Sequence, residues 1–160
     1  MGTINIAGAA AYGGNTNSGI TIVEQLIDFS DLDGNGTTAA QNDVIQAINV
    51  PANTWVMLMR AQVVREEGAA STVDVGVTGG DPDGFFDGLD VNDDAVNVVS
   101  GPITLAEAQP NTVVGHSGGL FFATAGTIDI LANDALDNAQ VRLMAVMVDL
   151  NGTRKFDWGS

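Results

Sequence analysis

The pentapeptide Gly115-His116-Ser117-Gly118-Gly119 spells the G-x-S-x-G pattern in which a serine on a sharp turn acts as a hydrolase nucleophile. That chemistry needs a strand entering a helix, to expose the hydroxyl, and a histidine further along the chain to take its proton. Neither condition is met. Leu120-Phe121-Phe122 and the residues from Thr127 onward read as strands, and His116, the single histidine, lies inside the motif. The pentapeptide reads instead as a glycine-rich loop leading into a strand, and hydrolysis through Ser117 is disfavoured.

Two groups of carboxylates come next. Asp31, Asp33 and Asn35 in DLDGNGT place oxygen ligands at alternate positions, as at the start of a calcium loop. The twelfth position, where such a loop carries a glutamate, is Asn42. Asp33-Gly34 and Asn35-Gly36 are also overlapping tight-turn dipeptides, which account for the same residues without a metal. A plain turn and a bound calcium ion are the two readings. Asp81, Asp83, Asp87, Asp90, Asp93 and Asp94 form the densest acidic run. On a glycine-rich segment they read as a solvated loop, with a shared cation as the alternative. Paired carboxylates for glycoside cleavage want an apolar setting that raises one pKa, and nothing around these aspartates supplies it.

The charge balance narrows the partners. Twenty acidic residues against five basic ones leave a formal charge of −15. Such a surface repels phosphate, so neither nucleic acid nor anionic lipid is an expected partner. Arg60, Arg65, Arg142, Arg154 and Lys155 form no basic tract. The 160 residues suit one compact domain with an arm, and there is no cysteine for a disulfide or a thiolate. No apolar run approaches the ~20 residues of a membrane helix, and no secretory signal pattern opens the chain, so synthesis in the cytosol is expected.

The elements that would position these groups read as strands. In Thr72 to Val77 the valines at 73, 75 and 77 alternate with polar or small residues, and Gly79 to Gly84 then supplies a dense turn. That strand belongs to Ala70–Val77; Ile20–Phe29, Asp43–Val50, Trp55–Val64, Leu120–Thr124 and Thr127–Ala132 are further strand segments, and Val141–Leu150, which periodicity alone would also allow as a buried helix, reads as a strand by its β-branched content and the Asn151-Gly152 turn after it. Both faces of Trp55 to Leu58 are apolar, which predicts that this end lies buried between layers. Gly79 to Pro102 reads as the long loop, and a short helix is expected near Thr104–Gln109, stopped by Pro110. The pattern predicts an all-β, two-sheet β-sandwich, with a jelly roll as the expected arrangement. Residues 1–19 form an extended N-terminal arm and 20–160 the sandwich with its C-terminal tail.

The arm holds only Ile4, Ile6 and Tyr12 as large apolar groups, too few to order it unaided. Contacts with a neighbouring subunit or with a groove on its own domain would hold it. The tail carries Phe156 and Trp158 beside Arg154 and Lys155, residue types that anchor interfaces.

The chain resembles the small β-sandwich decoration, or cement, proteins of tailed bacteriophages. The likeness rests on Ile27 to Val56, Thr72 to Asp90 and Thr127 to Asn151, and leaves the arm uncovered. The resemblance implies a non-enzymatic virion protein on the outer face of the capsid, bridging major capsid protein subunits and contacting other copies of itself. Ile4, Ile6, Tyr12, Phe156 and Trp158 are the expected contact residues. No resident cofactor is expected, with calcium at the acidic loops as the one candidate. The alternative is a carbohydrate-binding sandwich of a phage tail or secreted protein, with calcium at the acidic loops. An exposed aromatic platform would distinguish it.

Overall fold

A computed structural model of the protein describes residues 2–7, 19–93 and 119–150, together with the backbone of 97–100. Ten strands are described: β1 (Thr3–Asn5), β2 (Ile20–Asp28), β3 (Val44–Val50), β4 (Thr54–Arg65), β5 (Thr72–Gly76), β6 (Phe86–Asp90), β7 (Asn97–Ser100), β8 (Leu120–Phe122), β9 (Gly126–Ala132) and β10 (Gln140–Asp149). They form two sheets. The first runs β1-β3-β9-β5-β6; the second runs β2-β10-β4-β7, with β8 pairing a different stretch of the same edge of β4. All pairings are antiparallel except β1 with β3.

Successive strands β2 to β5 alternate between the sheets, while β9 returns between β3 and β5 and β10 between β2 and β4. The late strands thereby become central, which is why their inward positions are among the most buried. In β10 the alternation is complete: Val141, Leu143, Ala145 and Met147 face inward and the residues between them do not. Ile27, Val56, Met59, Ala61 and Val63 join them from the second sheet. Ile45, Ile48, Val73, Val75, Ile128 and Ile130 answer from the first, closing one apolar core. The all-β, two-sheet sandwich expected from the strand pattern is therefore what the chain forms.

Three local readings change. The span Gly79–Pro102 contains β6 and β7 rather than one long loop. Phe86 and Leu89 of β6 are fully buried although three residues apart. Gly88 between them, at φ 64°, and a register shift opposite, between Val73 and Val75, break the strict alternation that a sequence search relies on. The end of β4 is not enclosed between layers, because Trp55 points outward and is 37% exposed. The arm contains a strand, since β1 lies parallel to β3. Gly2 N–H donates to the Asp43 carboxylate and Ile6 N–H to Gln46 O at 3.1 Å. The candidate helix at 104–109 lies outside the described residues.

Candidate interaction surface

Antiparallel pairing without a register shift sets residues of β2 and β10 directly opposite one another: Ile20 with Val148, Ile22 with Val146, Glu24 with Met144, Leu26 with Arg142. All of these point away from the core. On the other side of β10, Val148 lies opposite Trp55, Val146 opposite Leu58, Met144 opposite Arg60 and Arg142 opposite Gln62. A register shift between Val146 and Met147 leaves Met57 as the extra residue of a bulge and turns both Trp55 and Leu58 outward. Across the next pairing Trp55 meets Phe121 of β8.

The outer face of the second sheet is thus divided. One half is two apolar rows, Ile20-Val148-Trp55-Phe121 and Ile22-Val146-Leu58, in which Ile22 is 62% and Phe121 50% exposed. The other half is a shallow depression lined by Glu24, Arg60, Gln62, Arg142 and Met144. There Arg142 Nε lies 3.0 Å from Glu24 Oε1, an ion pair not aligned as a hydrogen bond, and Arg142 Nη1 donates to Gln62 Oε1 at 3.2 Å. Contiguous exposed apolar side chains rimmed by polar ones are the signature of a surface that another molecule covers. Sequence reasoning missed this face. Its signal was the two-sided apolar run Trp55 to Leu58, whose second face is exposed rather than enclosed by this chain.

Charge is polarised between the sheets. The strands of the first sheet carry Asp74, Asp87, Asp90 and Asp129 and no cation; those of the second carry Glu24, Asp28 and Asp149 against Arg60, Arg65 and Arg142. Of the first sheet's acids Asp87 and Asp90 are exposed, Asp74 is half-buried and Asp129 is buried, so its outer charge is acidic and lies toward the β6 edge, while the second sheet is balanced.

The residues singled out in the sequence are dispersed. Ile4 and Ile6 are half-buried and pack against the molecule's own core. Tyr12, Phe156, Trp158, His116 and Ser117 lie outside the described residues. Asp33 spends its carboxylate on its own turn: Oδ1 accepts from Asn35 N–H at 2.9 Å and Oδ2 from the Thr37 hydroxyl at 2.7 Å. The Thr37 hydroxyl first, then the Asn35 N–H, hold its carboxyl below the ordinary aspartate value. Asp31 accepts from Gly36 N–H at 2.7 Å, and the Asn35 amide donates to Asp33 O at 3.3 Å. Each of the three is engaged in the turn. Among the described residues no group of three or more histidine, aspartate or glutamate side chains converges as a metal site would. Asp129, 4% exposed, accepts from Thr78 N–H at 3.0 Å through Oδ2 and pins the segment after β5; its Oδ1 has no hydrogen-bond partner among the described residues.

No protein-family model and no curated protein matches this chain. Solved structures do. A chain of the cyanophage Pam1 capsid asymmetric unit is similar at 16% identity and a TM-score of 0.56, covering 89% of this chain and 94% of that one. A chain of the capsid of Ralstonia phage GP4 is similar at 13% identity and a TM-score of 0.54, covering 94% and 99%. At such identities the likeness is one of fold, extending over nearly the full length of each partner: the protein shares its β-sandwich with chains found in phage capsids.

Proposed function

We propose that the protein is a structural component of a phage virion that decorates the outer face of the capsid and stabilises it by bridging major capsid protein subunits, without catalysis. The observation that carries this reading is the polarity of the sandwich. One outer face is charge-balanced and half apolar, and the other is acidic. A protein that must sit on a shell and face water needs such a division, because buried apolar area drives association while a negative outer face keeps the decorated particle soluble. The shared fold with phage capsid chains supports the same reading, as does the strand order, which suits a jelly roll built from two interleaved Greek keys. No resident cofactor is required.

The test is uptake onto heads that lack the protein. Trp55 and Phe121 are the aromatic centre of the face, and aromatic anchors in interfaces commonly contribute ~2 kcal/mol or more each. Replacing both by alanine should lower head affinity by up to about a thousandfold, and by about thirtyfold for either alone, in variants that still unfold cooperatively. Undiminished uptake would remove the face from the mechanism.

The same aromatic pair favours a second reading, a carbohydrate-binding module, because adjacent exposed rings are what sugar faces stack on. Glycan binding by the free protein that is lost with Trp55→Ala, together with failure to bind heads, would select that reading.

A further inference from the structure

The β2 edge of the second sheet has its own chemistry. Asp149 N–H donates to Gly19 O at 2.7 Å and Phe29 N–H to Ala139 O at 2.9 Å, one at each end of the β2–β10 ladder. With no register shift between them, these bonds fix the phase of the whole ladder. Odd-numbered residues of β2 direct their N–H and C=O groups at β10, and Ile20, Ile22, Glu24, Leu26 and Asp28 direct theirs outward. No described strand pairs with that edge. It is nine residues long, against five for β6 at the far edge of the first sheet. Edge strands are normally protected by charge, proline, bulges or a covering segment. This one carries no proline and no bulge, exposes Ile20, Ile22 and Leu26, and holds a single charge among its first eight residues, Glu24, which Arg142 offsets. Among the described residues one outward carbonyl, Leu26 O, accepts from the neighbouring Gln25 amide at 3.3 Å.

We infer that this edge binds a second copy of the same chain, β2 against β2 in antiparallel register about a twofold axis at Val23, so that the second sheet runs continuously through both molecules. An antiparallel edge is self-complementary, as an isologous interface requires. Centring on Val23 opposes Ile20 to Leu26 of the other copy, twice, and sets Ile22 beside Glu24. Shifting the axis to Glu24 would oppose two glutamates directly, which is destabilising, and shifting it to Gln25 would set Ile22 against Asp28. Charge selects the same place. Two molecules of −15 repel over most of their surfaces, and the acidic first sheet is the worst approach, whereas the second sheet's strands carry equal numbers of acids and arginines. The pairing leaves the outer face open and doubles it, so it is compatible with the capsid reading but does not rest on it.

Sedimentation of the purified chain and thiol trapping test the pairing together. The wild type should be a dimer. Ile22→Pro removes an outward N–H and spares the β10 ladder, a substitution that edge strands tolerate, and it should weaken the dimer at least about tenfold. Ile22→Lys, with the backbone intact, should do the same, and a cooperative unfolding transition shows that each variant is folded, its midpoint falling only as far as the lost association requires. The chain contains no cysteine, so Val23→Cys reports cleanly. A central non-hydrogen-bonded pair brings Cα atoms to about 4.5 Å, within reach of a disulfide. Val23→Cys should therefore crosslink, and Ile20→Cys should crosslink only when combined with Leu26→Cys. A monomeric wild type, a dimer that neither Ile22 variant weakens, or no crosslink through Val23→Cys overturns the inference. A monomer that still decorates heads would overturn the pairing alone; a dimer trapped as described that finds no head would overturn the capsid reading alone.

Discussion

Glu67 shows how this protein uses a carboxylate. Its two oxygens accept from the backbone N–H groups of Asp137, Asn138 and Ala139 at 2.9, 3.1 and 2.7 Å, fastening the turn before β10 to the end of β4. Burial works to raise its pKa, but the three hydrogen bonds together outweigh it and the carboxyl titrates below its ordinary value. Asp28 follows the same logic: burial opposes, while the Ser30 hydroxyl, the Gln140 amide and Arg65, at 2.8 Å, lower it. A carboxyl whose folded pKa is depressed contributes stability that is complete above its unfolded pKa and is lost as pH falls through the folded one. Stability should thus decline below about pH 4. Glu67→Gln should cost about 1 to 2 kcal/mol at neutral pH and flatten that acid limb, read from urea midpoints at a series of pH values. At Asp31, Asp33 and Asn35, where the side chains already serve their own turn, added calcium or a chelator should leave the thermal midpoint unmoved. A rise of several degrees with calcium would restore the metal reading.

Among the elements, β9 was legible because Ile128 and Ile130 alternate with Thr127 and Asp129, whereas β10, apolar on both faces, was readable as a strand only through its β-branched content and the Asn151-Gly152 turn after it. The sequence was opaque wherever a bulge or glycine resets the phase. FDGLD looks like loop until Gly88 and the irregularity opposite bring Phe86 and Leu89 to the same interior. TIN is too short to announce a strand, and β1 exists because β3 offers it an edge. The Trp55–Leu58 run is apolar on both faces, as its residues state. Periodicity reports that a face is apolar but not what covers it, so the candidate surface was present in the sequence only as a false second layer. Close approach of backbone is similarly invisible. A Cβ at Gly76 would collide with the carbonyl oxygen of Asp81, and one at Gly119 would sit 2.5 Å from Val56 O with φ at +86°. Gly76→Ala should cost about 3 kcal/mol by prising the following turn from β5, measured by urea unfolding. Gly119→Ala should lower stability and also shift the fluorescence of Trp55, because the added methyl carbon would fall 2.6 Å from the indole nitrogen.

At the scale of the whole molecule, a chain of 160 residues with no cysteine and a charge of −15 folds into a sandwich whose two outer faces differ in kind. Among the described residues the acids do not converge on a site: several spend their carboxylates on backbone N–H groups of turns, others face solvent, and the arginines on strands all belong to the balanced sheet. Association through that sheet should strengthen with added salt, because screening removes the general repulsion between copies and touches apolar contact little; light scattering across an ionic-strength series would show it. The most direct measurement is a density map of an intact head carrying this protein. The outer face of the second sheet, with Trp55 and Phe121, should lie buried against capsid subunits and the acidic first sheet should face solvent. A map in which Trp55 and Phe121 face solvent, or particles that never contain the chain, would contradict the account.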